Sequence, residues 1–170
     1  MEGRCEGSAA WIFPDHFDVD LIIGIQNVRE NDIGKLVPVC MSAYEPGFSD
    51  KVKPGDIFIG GRNFGYGHAH PQAMAAVRKL GINIVLAESF APCFFRGEIG
   101  NGMMLLQAPG IARAVKRFDR LSVEFNSGIV RNLTQGATIK GVPPSPMAVR
   151  LVSNKGYLGF LREELKKIQP

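Results

Sequence analysis

At 170 residues, 45% hydrophobic and 21% charged, the chain holds enough apolar material for one core and is short for two typical domains, so residues 1–170 read as a single unit. Its 20 glycines and 11 prolines are spread along the sequence, which argues for many short elements joined by tight turns and against disorder. The net charge of +4 is interleaved with acids, Lys51 and Lys53 lying beside Asp50 and Asp56, and no apolar run approaches the roughly 18 residues of a membrane span, so neither nucleic acid nor a membrane is an expected partner.

The chain opens Met1-Glu2-Gly3-Arg4 without the apolar segment of a secretion signal. Cys5, Cys40 and Cys93 are odd in number and far apart. They form neither a disulfide framework nor a metal-binding pair, and they suit a reducing, cytoplasmic setting. Residues 10–13 are a short apolar stretch ended by Pro14, and 21–25 are a second, with an acidic turn over 15–20 between them. Residues 26–54 carry mixed signals and several turn formers, and read as a long functional loop with room for a short helix. From Pro54-Gly55-Asp56 the pattern becomes regular, with a buried strand over 57–61. Pro71 then suits the first position of a helix whose apolar face is Ala73, Ala76, Val77 and Leu80, and Gly81 suits its end.

A strand over 82–87 follows, and Ser89 is placed to cap a segment through Phe90, Phe94 and Phe95, three core aromatics. Gly100-Asn101-Gly102 breaks that segment ahead of a strand over 103–106, so the alternation predicts a parallel core with crossover helices. Arg113, Lys116, Arg117 and Arg120 have the spacing of the exposed face of a short helix, with no aromatic platform interleaved. Residues 121–125 and 128–133 flank Asn126-Ser127 as a hairpin, and 137–142 add a further strand. Beyond Pro143-Pro144, Ser145 caps a helix through Met147, Val149 and Val152, and Gly156 separates it from a C-terminal helix. The fold class is α/β, with a mixed, partly parallel sheet.

Chemistry concentrates in the segment Gly60-Gly61-Arg62-Asn63-Phe64-Gly65-Tyr66-Gly67-His68-Ala69-His70-Pro71, between a buried strand and a helix start. Gly65 and Gly67 allow positive φ and close backbone approach, and the first turn of the helix offers unpaired N–H groups at a positive dipole end, a combination suited to carboxylate or phosphate. Neither common nucleotide template fits. The Lys-Ser/Thr ending of a P-loop and the third glycine of the dinucleotide fingerprint are both missing. Two of the three histidines of the chain sit in this loop, and imidazole is suited to proton transfer near neutral pH. They act as base and substrate ligand, or they line the start of the helix. A pair at i, i+2 gives too few ligands for a metal, so none is expected. Arg62 and Asn63 can position substrate oxygens or serve as surface charge and turn former. Tyr66 can contact substrate or a partner chain. Asp18 and Asp20 can orient active-site groups or simply cap backbone N–H groups.

The wider sequence resembles the small subunits of 3-isopropylmalate dehydratase and the matching swivelling domain of aconitases. Asp18-Val19-Asp20-Leu21-Ile22-Ile23 is similar to the family's Asp-Thr-Asp-x-Ile-Ile, and 61–67 are similar to its Gly-x-Asn-Phe-Gly-Cys-Gly. Residues 84–90 with Phe94, the run Asn101-Gly102-Met103-Met104, and the helix led by Gly156-Tyr157-Leu158 extend the resemblance over most of the chain. It implies a swivelling β/β/α three-layer domain and a hydro-lyase that dehydrates or isomerises a small hydroxy acid. It also implies a large partner subunit whose [4Fe–4S] cluster acts as Lewis acid, with no cofactor on this chain. Where the family continues Ser-Ser-Arg-Glu-His-Ala, this chain reads His68-Ala69-His70-Pro71-Gln72-Ala73. By position, the family's serine base falls on His68 and its carboxylate-gripping arginine on His70, with Arg62, Asn63, Gly65, Tyr66 and Gly67 as neighbouring substrate contacts. Replacing a guanidinium fork by imidazole removes a permanent charge and bidentate geometry, and Gln26 stands near where many relatives carry a basic residue, so the expected substrate carries fewer carboxylates. The rival expectations are a non-catalytic swivelling domain with a binding or assembly role, and a stand-alone anion-binding module.

Overall fold

A computed structural model describes residues 4–68 and 70–168. Met1 to Gly3, read above for a secretion signal, and Ala69 of the loop lie outside these. In chain order the strands are β1 (Arg4–Ile12), β2 (Ile57–Gly60), β3 (Ile84–Ala87), β4 (Met104–Gln107), β5 (Arg120–Glu124), β6 (Ile129–Asn132) and β7 (Ala137–Lys140). Helices are α1 (Ile33–Leu36), α2 (Phe48–Lys51), α3 (Pro71–Lys79), α4 (Pro92–Gly100), α5 (Ile111–Ala114), α6 (Pro146–Ser153) and α7 (Tyr157–Ile168).

Among the described residues the strands form one sheet in the order β4-β3-β2-β1-β5-β6-β7. The half from β1 to β4 is parallel, as the strand-helix alternation predicts, and the half from β1 through β5 and β6 to β7 is antiparallel. β1 serves both halves by changing partner along its length. Arg4 to Ser8 pair with β5, whereas Ala9 to Ile12 pair with β2, with a register shift between Ala9 and Trp11. The changeover demands close backbone approach. A Cβ on Gly7 would overlap the carbonyl of Gly55. The sheet curls so far that Val142, just past β7, donates its N–H to the carbonyl of Gln107 at the end of β4, at 2.8 Å.

β2 and β3 are buried along their whole length, the expected state of inner parallel strands, and explain the unbroken apolar runs 57–59 and 84–87. α3 begins at Pro71 as predicted, and Gly81 follows its end at φ +90°. The hairpin β5–β6, the strand β7 and both C-terminal helices lie where the sequence places them, with Ser145 Oγ accepting the Ala148 N–H at 3.2 Å.

The apolar stretch 21–25 spans parts of two 3-10 turns, Val19–Ile22 and Ile25–Asn27. Three expectations change. The long loop over 26–54 is instead a packed series of short helical turns that buries Leu36, Cys40, Met41 and Phe48. Ser89 caps no helix: α4 starts at Pro92, whose ring fixes the first helical φ, and Ser89 bonds elsewhere. The basic cluster disperses, because α5 ends at Ala114, Arg117 lies over the Trp11 ring at 4.2 Å, and Arg120 begins β5.

Candidate functional site

The loop 61–70 leaves the C-terminal end of β2 and is flanked by the chain leaving β1 and the chain leaving β3. Open α/β sheets characteristically bind ligands at this end of their parallel strands. Backbone hydrogen bonds lock the three segments together. Gly61 donates to Phe13 O at 3.1 Å, His16 to Arg62 O at 2.7 Å, and Gly65 and Tyr66 both donate to Phe17 O at 3.0 and 3.1 Å. On the other side Phe64 donates to Ser89 O and Ala91 to Phe64 O, both at 2.9 Å, while Asn63 N–H donates to Ser89 Oγ at 2.8 Å.

Beneath the loop lies a packed aromatic floor. Phe64 is fully buried, its ring 5.2 Å from Phe13, 5.5 Å from Phe94 and stacked at 6.0 Å on Phe17. Phe90 and Phe95 are half-buried against this core rather than inside it. The glycines fit their expected roles. Gly65, at φ +81°, passes over the Phe94 ring so closely that a Cβ would collide with it, and Gly67, at φ +89°, passes the Asp18 carboxylate, which a Cβ would meet at 3.1 Å.

On this floor the polar groups are arranged in pairs. Asp15 takes the Arg62 backbone N–H at 2.6 Å and its Nε–H at 2.7 Å, with Nη2 2.7 Å from the same carboxylate. The backbone hydrogen bond first, and then the guanidinium, hold the Asp15 carboxyl below the usual range. Asn63 adopts φ +53°, and its Nδ2 lies 3.1 Å from Nδ1 of His16. Asp20, buried, accepts the His70 backbone N–H at 2.8 Å through one oxygen and lies 2.6 Å from His70 Nδ1 through the other. Asp18 caps the start of the 3-10 turn Val19–Ile22, accepting the Asp20 N–H at 3.0 Å. His68 is exposed, its ring centroid 5.4 Å from that of His70, and Tyr66 is exposed beside His16.

His68, His70, Gly65 and Gly67 line one wall of an open cleft of about 390 Å³, and Met74 of α3 with Cys93, Phe94 and Glu98 of α4 line the rest. Glu98 is buried in an ion pair with Arg78 and accepts from Asn101 Nδ2 at 3.1 Å. Arg62 and Asn63 stand on the far side of the loop, toward Asp15 and His16, and are not among the cleft's lining residues. Among the described residues no three His, Cys, Asp or Glu side chains come together to hold a metal ion. Burial pushes the Cys40 thiol up to about 12, which keeps it protonated.

The Aconitase C-terminal domain family matches residues 38–110, which include the loop. The chain is 33% identical to the isopropylmalate/citramalate isomerase small subunit of Methanocaldococcus jannaschii, covering 94% of this chain and 95% of that one. It is 37% identical to the 3-isopropylmalate dehydratase small subunit of Pyrobaculum calidifontis, covering 90% and 94%. The crystal structure of a 3-isopropylmalate dehydratase from M. jannaschii superposes with a TM-score of 0.86 at 30% identity, over 98% of this chain and 97% of that one. The chain belongs to the family of 3-isopropylmalate dehydratase small subunits.

As a member of that family it has the expected swivel-domain fold with its mixed, partly parallel curled sheet. Its relatives carry the names of small subunits, one of an isopropylmalate/citramalate isomerase and one of a 3-isopropylmalate dehydratase, hydro-lyases built from more than one kind of chain. The structure also brings in Asp15 and His16, and gives Ser89 a different role from the cap expected of it. Asp15, Ser89 and His16 hold the loop from either side, yet each lies at least 26 residues from its loop partner, and a turn-forming Asp or a Ser after a strand carries no distinctive sequence signal.

Proposed function

We propose that this chain is the small subunit of a two-subunit hydro-lyase that dehydrates or isomerises a small hydroxy acid, residues 1–170 docking as one unit on a large subunit that holds a [4Fe–4S] cluster. The observation that carries the reading is the cleft beneath the loop 61–70, where two histidines project from a strand-to-helix junction in a family whose named members are dehydratase small subunits. The cluster, when present on the partner, supplies Lewis-acid polarisation of substrate oxygen. This chain's cysteines do not fit such a group, since they are scattered, with Cys40 buried and protonated.

In this reading His68 is the base. It stands at the position of the family's catalytic serine, is exposed to the cleft mouth, and carries a side chain able to take a proton near neutral pH. His70 holds a substrate oxygen from the next turn and the backbone at Gly65 and Gly67 admits substrate closely, whereas Arg62, Asn63 and Tyr66 do not line the cleft. Both positive features of the loop are already matched inside the chain, Arg62 by Asp15 and the start of α3 by Asp20. A substrate carboxylate is therefore held chiefly by the partner, and 3-isopropylmalate and citramalate are the first compounds to try.

The same replacement of serine and arginine by His68 and His70 favours a second reading, a swivel domain that binds the partner without turnover. Anaerobic co-expression with candidate large subunits, capture of the complex and hydratase assays over a panel of hydroxy acids separate the two. The hydro-lyase reading expects turnover that needs both chains. A stable complex silent toward every acid supports the non-catalytic reading, and no complex with any candidate large subunit removes both.

A further inference from the structure

We infer that Asp20 is a positioning residue that fixes the tautomer of His70, so that the ring meets substrate as a proton acceptor at Nε2 and reads a hydroxyl where the family's arginine reads a carboxylate. Nδ1 of His70 lies 2.6 Å from Asp20 Oδ2, and the His70 backbone N–H donates to Oδ1 at 2.8 Å. An ionised carboxylate only accepts, so the neutral ring must carry its proton on Nδ1 and its lone pair on Nε2.

The clamp is rigid on one side and open on the other. The Asp20 side chain is 9% exposed, in a 3-10 turn whose own cap fixes the Asp20 backbone, whereas the His70 side chain is 39% exposed and lines the cleft. The backbone contact through one oxygen holds the carboxylate in place, so the other oxygen stays set for Nδ1 and a turned-over ring loses that bond. Among the described residues Nε2 has no partner. A lone pair at that position repels a carboxylate oxygen and accepts from an O–H, which makes His70 selective for the hydroxyl of a hydroxy acid. The tautomer follows from the geometry alone; its use rests on reading the cleft as the substrate site.

The test has an arm for each. Long-range ¹H–¹⁵N correlation on the full chain, at about pH 9 where an ordinary imidazole is neutral, reads the ring nitrogens of only three histidines. His70 is expected to show a protonated Nδ1 and an unprotonated Nε2, a pattern lost toward the Nε2–H form in Asp20→Asn and Asp20→Ala, with the amide spectrum checking the fold. A predominantly Nε2–H ring in the unaltered chain, or Nδ1–H persisting in both variants, overturns the role of Asp20. In the assembled enzyme Asp20→Asn is expected to weaken binding of 3-isopropylmalate about tenfold while leaving the dicarboxylate that lacks its hydroxyl unaffected, the loss of one hydrogen bond to substrate. Equal weakening of both compounds overturns the hydroxyl reading even where the tautomer holds. Absence of turnover with any partner counts against the proposed function and leaves the tautomer result standing.

Discussion

His68 carries the sharpest prediction at the scale of single residues. If it takes the substrate proton, His68→Ala lowers turnover of the assembled enzyme about 100-fold while subunit association stays near normal, because a general base acts in the transition state. Asp15 gives a second test through stability. Its carboxyl is depressed in the folded chain by hydrogen bonds from Arg62, so the unfolded chain binds the proton more readily. The contribution is present above the unfolded value, near 3.9, and is lost as pH falls through the lower folded value. Urea midpoints of the native chain and Asp15→Asn should therefore differ at neutral pH and converge as pH falls through the lowered folded value. The pair of loop histidines was legible in the sequence, since two of three histidines in one short loop is a compositional signal. Their environment was not. Asp20 lies 50 residues from His70 and Asp15 lies 47 from Arg62, and no local pattern encodes either contact.

At the scale of elements, the loop is held by backbone geometry that only glycine satisfies. Gly65 combines φ +81° with a Cβ position only 2.1 Å from Cγ of Phe94. Gly65→Ala must then both strain the backbone and displace α4, at a cost of about 2 kcal/mol or more. Chemical denaturation should show that loss, and substrate affinity of the assembled enzyme should fall with it because the same glycine shapes the cleft wall. Element type was readable wherever periodicity was long and apolar, as in β2, α3 and β3. It failed where a local rule met a tertiary competitor. Ser89 has the right chemistry for a cap, but Pro92 sets the start of α4 and the hydroxyl is drawn to the Asn63 N–H. Arg113, Lys116, Arg117 and Arg120 have helical spacing, yet Arg117 gains more by lying on Trp11 and donating its Nε–H to the Ala10 carbonyl at 2.9 Å. The segment 26–54 looked irregular for a related reason: its turns are too short to show a period, and its order comes from the core contacts of Leu36, Met41 and Phe48.

For the whole molecule, the alternation of strands and helices announced a parallel core with an antiparallel addition, and the fold has both. What joins them was hidden. β1 is the hinge of the sheet, paired with β2 along one half and with β5, more than 100 residues away, along the other, and nothing in its own nine residues specifies two partners. That placement sets the loops after β1, β2 and β3 side by side at one end of the sheet, which is where the cleft lies. The central claim is that the cleft completes an active site divided between two chains. Its most direct test is a titration of this chain into a fixed amount of reconstituted cluster-bearing large subunit, following dehydration of 3-isopropylmalate or citramalate. The account predicts no turnover from either chain alone and a rate that rises and saturates as the two chains reach equal amounts. Full turnover by the large subunit alone, or a rate that stays flat across the titration while the two chains demonstrably associate, would contradict it.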